Sequence, residues 1–189
     1  MISALVVMVL AQPARLLYLP ADQALERVFP DSWGEVVKAP QTVTLEGLVP
    51  VKKGSHEVKV RWRRALAEDP ESVTALQRVL LAGESYSIPG PGFGSLKLCG
   101  RPTPNVRVTF TSAKRVVIAD ICFGCGSMWL RFDENGRRVR DDIIDLARHG
   151  WVEAFALLVP EDDYVAQRKR RQDEIDERTR SRALDGGVP

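Results

Sequence analysis

Hydrophobic and polar positions along this chain follow two periods, one helical and one of strict alternation. Positions 21–29 (ADQALERVF) set Ala24, Leu25 and Val28 on one side of a helix that Pro30 ends. Sheet patterns follow. The stretches 35–38 and 41–48 are rich in β-branched residues on either side of Pro40, and 57–62 sets Val58, Val60 and Trp62 against Glu57, Lys59 and Arg61, so all three read as strands with an exposed face. Asp69-Pro70-Glu71-Ser72 then opens a helix, because the Asp side chain caps free amides and proline suits the first helical position. Val73, Leu76, Val79 and Leu80 form its apolar stripe, and Gly83 reads as its stop.

The second half opens with a glycine and proline loop at 85–95 (SYSIPGPGFGS). Alternation returns at Val106, Val108 and Phe110, and a turn at 112–114 leads into 115–122, which together make a hairpin. The stretch 127–132 points Met128, Leu130 and Phe132 to one side, and Asn135-Gly136 supplies a turn into 137–140. From Asp141 the spacing of Ile143, Ile144, Leu146 and Ala147 predicts a helix, with Arg148 and His149 in its last turn and Gly150 at its stop. Positions 151–159 are apolar and suit helix or strand, while 161–182 is charged with helical character. The predicted fold class is α+β: an antiparallel meander sheet with two or three packed helices and a charged C-terminal helical tail. Residues 12–160 form one domain and 161–189 the tail.

Composition changes this picture little. With 189 residues, 44% of them hydrophobic, the chain is long and apolar enough for a core. A formal net charge of +2 gives no global field to concentrate nucleic acid, and no nucleic-acid partner is expected. The basic run Arg168-Lys169-Arg170-Arg171 does not alter that, because 161–185 carries eight acids against seven bases and reads as a solvated polyampholyte. Residues 1–11 (MISALVVMVLA) form an apolar run about half as long as the roughly 20 residues a membrane-crossing helix needs, so no transmembrane span is expected. That length suits a signal peptide, with Val9 and Ala11 as the small residues before a cut preceding Gln12. No basic residue precedes Arg15, and a buried N-terminal strand is the alternative. Export is the expectation, cytoplasmic residence the alternative, and an exported chain meets conditions in which thiols pair.

The candidate chemistry is sulfur. Cys122 and Cys125 stand three apart in ICFGCG, where a tight turn can aim both sulfurs to one side and Gly124 and Gly126 permit the backbone angles required. Cys99 precedes the hairpin. A structural reading pairs Cys99 with one of the turn cysteines, a bridge that would remove about 3 kcal/mol of unfolded-state freedom. A metal reading takes Cys99, Cys122 and Cys125 as three zinc ligands, with zinc the one cofactor the sulfurs invite. Its fourth ligand is unassigned: His56 lies in a polar turn, and His149 reads as a helix C-terminal residue. A redox reading uses Cys122 and Cys125 alone, yet a strand follows them where a thiol-activating helix is usual.

Other motifs are weaker. Gly90, Gly92 and Gly94 lack the Lys-Ser or Lys-Thr of a phosphate loop. With no nucleophile elbow and two histidines, the chain has few ways to assemble a hydrolytic triad. Asp141-Asp142 and Glu161-Asp162-Asp163 read as acids at helix starts. Trp33, Trp62, Trp129 and Trp151 share no spacing and read as core or half-buried residues.

Leu98-Cys99, Pro104, the strand VRVTF at 106–110 and the run VVIADICFGCG at 116–126 together resemble a pattern in small, uncharacterised secreted or lipid-anchored bacterial proteins. Those proteins carry a first cysteine, a short link, two strands and a CFxC turn. A histidine often lies in their link, where this chain has Pro104, Asn105 and Val106, which removes the most convenient fourth metal ligand. Gln12 at the expected cut leaves no cysteine there for a lipid anchor. The resemblance implies export and a shared fold and brings no activity with it. The expected function is therefore an exported, non-catalytic structural or binding protein whose Cys99 and CFGC turn stabilise the fold, with a zinc or thiol–disulfide redox protein as the alternative.

Overall fold

A computed structural model describes residues 18–53, 55, 57–67, 69–89, 103–159 and 163–184. Six strands, β1 (Thr42–Pro50), β2 (Val58–Ala65), β3 (Val106–Ser112), β4 (Arg115–Cys122), β5 (Ser127–Glu134) and β6 (Arg137–Asp145), form one antiparallel sheet in the order β2-β1-β3-β4-β5-β6. Around it lie α1 (Ala21–Val28), α2 (Trp33–Lys38), α3 (Pro70–Leu80), α4 (Arg148–Leu158) and α5 (Asp163–Leu184), with a 3-10 turn at Gly83–Ser85. The class is α+β. The order departs from a simple meander because β1 lies between β2 and β3, and more helices are present among the described residues than the two or three expected. Among those residues no helix is long and apolar enough to cross a membrane.

Register explains which residues are buried. The cross-strand rows Val43–Phe110–Val117–Phe132 and Leu45–Val108–Ala119–Leu130 fall on one face, as the period of two in each strand requires, and all eight are buried. Helices cover this face: Phe29 of the α1 end meets Phe132 edge to face, and Trp33 of α2 lies 5.1 Å from the same ring. On α4, Trp151 and Phe155 stack at 6.0 Å and reach Tyr86 and Phe123. Polar handles inside this layer are satisfied, with Trp151 Nε1 donating to Ser85 O at 2.9 Å and Tyr86 Oη donating to Leu80 O. Burial raises the Tyr86 phenol well above its usual range. The tryptophans behave as expected: Trp33 and Trp151 are buried, Trp62 and Trp129 half-buried.

Two expected elements are corrected. The stretch 35–38, read as strand, belongs to helix α2, whose Trp33, Val36 and Val37 share a side at helical spacing and are buried against the sheet. Four β-branched-rich residues were too short a window to show that period. The helix predicted from Asp141 is strand instead: β6 runs to Asp145, paired with β5 through Ser127↔Asp145. Asp141 and Asp142 are accordingly not helix-start acids, since Arg138 and Arg140 on the same strand pair with them. The helix starts later, so that Arg148, His149 and Gly150 open α4 rather than close its predecessor. Gly83 also differs, because α3 ends at Leu80 and Gly83 serves close approach: a Cβ there would run into the carbonyl of Ala21.

Several sequence signals hold at atomic detail. Asp69 caps α3, accepting from Ser72 N at 3.0 Å, and those hydrogen bonds hold its carboxyl below the ordinary value. Asn135 and Gly136 adopt left-handed angles in the β5–β6 turn. Helix ends are also closed from afar: Gln77 Nε2 donates to Val37 O and Lys38 O, and Arg64 donates to Leu158 O at the end of α4.

Two stability outcomes are expected. Gly83→Ala should cost at least about 2 kcal/mol in urea unfolding, because backbone must move, whereas Gly47→Ala, whose Cβ would first meet the half-buried Trp62 side chain rather than backbone, should cost less. Asp69→Ala should lower the melting temperature at neutral pH. A carboxyl with a depressed folded pKa stabilises above its unfolded value and loses that contribution as pH falls through the folded one, so melting curves of variant and parent should converge in strong acid.

Candidate functional site

The two turn cysteines meet where β4 passes into β5. Cys122 ends β4 opposite Ser127, and residues 123–126 make the connection. Gly126 closes it, with φ +63° and its N–H donating to Cys122 O at 2.9 Å. Neighbours fix the turn from both sides: Asn105 Oδ1 accepts from Phe123 N at 3.1 Å, and Gly126 O accepts from Leu146 N at 2.9 Å. Phe123 packs toward Phe155, which anchors the turn to α4.

Within this frame Cys122 Sγ and Cys125 Sγ are 2.9 Å apart, and Cys125 N–H donates to Cys122 Sγ at 3.5 Å. Their separation exceeds the roughly 2.05 Å of a disulfide bond, so they are thiols facing one another. Cys122 is buried and Cys125 half-buried. That asymmetry follows from register. Cys122 continues the row of β4 side chains, with Asp120, on the face away from the helices, whereas Cys125 turns toward a cleft of roughly 290 Å³. Phe123, Leu146, Trp151, Val152 and Ile175 give this cleft apolar walls, and Arg171 of α5 supplies its cation. Ala147, the N-cap of α4, borders it too and offers no side-chain acceptor to that helix start.

The structure places Cys122 and Cys125 side by side. Cys99, with the bridge and the third zinc ligand assigned to it, lies outside the described residues, as do His56 and the glycines Gly90, Gly92 and Gly94. Among the described residues no three His, Cys, Asp or Glu side chains gather to hold a metal. The cleft does not follow from the sequence reading, which ends a helix at Gly150 and leaves 151–159 as helix or strand, whereas its far wall is α4, which begins at Arg148. The remaining signal was Trp151 and Phe155 at helical spacing just after Gly150.

A second feature also escaped the sequence reading. On the sheet face away from the helices, Glu46, Arg107 and Asp120 stand side by side on β1, β3 and β4. Both carboxylates are buried, Glu46 at 4% and Asp120 at 3% exposure. Arg107 grips Asp120 with two bonds, Nε to Oδ1 at 2.5 Å and an Nη at 2.8 Å, and it reaches Glu46 at 3.8 Å. Arg63 from β2 bonds Glu46 on the other side, and Arg131 approaches Asp120 at 3.9 Å while lying near the Trp129 ring. The hydrogen bond to Asp120 raises the Arg107 pKa above its usual value, with burial opposing it. Every carboxylate here already has its guanidinium, so the row serves as a cross-strand tie.

No family model, curated protein or solved structure matches the chain.

Asp120→Asn should destabilise the fold by about 2 kcal/mol, less than the 3–5 typical of a fully buried pair because Arg107 retains Glu46 and some water. The exposed pair Glu35–Lys38 is the control, and Glu35→Gln should cost under about 0.5 kcal/mol in the same denaturant titration.

Proposed function

We propose that the protein is an exported, non-catalytic structural or binding protein in which Cys122 and Cys125 form a two-sulfur lock on the end of the sheet. The observation carrying this reading is the 2.9 Å approach of the two sulfurs in a turn whose backbone is pinned on both sides. The apolar run 1–11 supports export, and an oxidising compartment would close the lock without large movement. Under this reading the two strands that end at the lock keep their pairing, and the cleft beside Cys125 keeps its shape. Helix α5 then extends from Val165, which is buried, as a charged and solvated arm.

Two sulfur alternatives remain distinguishable. A bridge from Cys99 would require one turn sulfur to leave its neighbour, and it would close a much longer loop. A zinc site would use Cys122 and Cys125 as a pincer and needs two further ligands. The proximity of the two turn thiols favours the local pair over the long bridge.

Acid-quenched alkylation of the native chain, followed by peptide mapping and intact mass, separates these cases. A loss of two hydrogens mapped to Cys122 and Cys125 is the expected result. Closing so small a ring removes about 2 kcal/mol of unfolded-state freedom, so adding reductant should lower the melting temperature by about 4–8 °C. A bridge mapped to Cys99, or zinc bound with three unmodified thiols, would overturn the proposal in favour of the corresponding alternative. Sequencing the N-terminus of the protein recovered outside the cytoplasm should begin at Gln12; recovery only from the cytoplasm would reject export.

A further inference from the structure

The two sulfurs differ in access, and among the described residues the one charged side chain lining the cleft beside them is the Arg171 guanidinium. Cys125 lines the cleft and is half-buried, whereas Cys122 is buried behind it and accepts the Cys125 N–H. Across the cleft stands Arg171, which is exposed and makes no ion pair among the described residues. The start of α4 borders the same space with Ala147 as an N-cap that offers no side-chain acceptor, so a helix dipole adds positive potential to that of the guanidinium. Apolar walls from Leu146, Trp151 and Ile175 complete a site suited to a small molecule with an aliphatic body and an anionic end.

From this arrangement we infer that the cleft receives an anionic low-molecular-weight disulfide, and that Cys125 is the sulfur through which the external thiol pool sets the lock. The inference rests on the two-sulfur reading above. In the first step the Cys125 thiol gives up its proton and its thiolate attacks one sulfur of the external disulfide RSSR. The Cys125 Sγ–S–R bond forms as the S–S bond of RSSR breaks, the other half leaves as RS⁻, and that thiolate takes up the proton. In the second step Cys122, already in contact with Cys125, loses its proton and attacks the Cys125 sulfur, expelling the second RS⁻, which is protonated in turn. The protein is oxidised by two electrons and one RSSR is reduced to two RSH. Reversal starts at the same place. An external thiolate reaches Cys125, the more exposed sulfur, and Cys122, which accepts the Cys125 N–H, departs as the leaving thiolate.

The test uses the full reduced chain, with glutathione disulfide as the anionic probe and cystamine as a cationic probe of similar chemistry. Products are trapped by acid and mapped to individual cysteines. Cys122→Ser should accumulate a glutathione adduct on Cys125, while the parent should pass through the same adduct transiently and end with Cys122 and Cys125 bridged. If Cys122→Ser folds poorly, the parent time course alone shows which sulfur is modified first. The parent should react with glutathione disulfide about tenfold faster than with cystamine, and Arg171→Glu should abolish or invert that preference. First modification at Cys122, or equal rates for both probes in the parent, would overturn the inference. Diamide, an uncharged oxidant, keeps its failure distinct from that of the lock: a Cys122–Cys125 bridge under diamide with no probe preference sinks only the cleft, whereas no bridge under diamide sinks the lock and the cleft together.

Discussion

Two buried carboxylates on the face away from the helices fix how the strands of this protein pair. Glu46 and Asp120 lose their hydration on folding and are tolerable only where Arg63, Arg107 and Arg131 can reach them. On the opposite face the same strands carry Val43, Leu45, Val108, Phe110, Val117 and Ala119, all buried. Sliding β1 or β4 by one position would exchange the faces and place a carboxylate among the aromatic rings, and sliding β3 would place Arg107 there and a valine among the carboxylates. Apolar burial supplies the driving force for the sheet, and the charged row makes the alternative pairings untenable.

The CFGC turn inherits its geometry from that register. Cys122 lies two residues beyond Asp120, so the strand that delivers the carboxylate to its arginines also delivers the first sulfur to the same face. The chain must then reverse into β5 within four residues, and Gly126 supplies the left-handed step that returns it. Phe123 turns inward to α4, leaving Cys125 to look across toward Arg171. The proximity of the thiols is therefore a product of where the sheet ends, and the cleft is a product of where α4 begins.

Much of this was legible in the sequence, and the gaps have physical causes. The β3–β4–β5 hairpins were readable because Val106, Val108 and Phe110, and then Met128, Leu130 and Phe132, alternate against polar neighbours. Asp69-Pro70 marked a helix start without ambiguity. Helix α2 was hidden because six residues hold fewer than two turns, and its Val36-Val37 pair satisfies either period. The end of β6 was misjudged because Ile143 and Ile144 are adjacent, one facing out beside Trp129 and one facing in beside Met128; only the pairing with β5 decides between that and a helical stripe. The charged row was invisible for a related reason. Glu46, Arg107 and Asp120 are each an ordinary polar position on its own strand, and nothing local says that they are neighbours.

The outer edge of the sheet has a consequence for how the molecule meets others of its kind. Strand β2 ends the sheet with Lys59, Arg61 and Arg64, Arg63 being paired with Glu46, and its pairing with β1 is interrupted by a bulge at Gly47 and Leu48. An open strand edge is ordinarily a template on which further chains polymerise. Here a second copy arriving by its own β2 would bring the same cations to an already cationic and locally twisted border, so like-charge repulsion caps the sheet at that side and guards the folded chain against fibre growth.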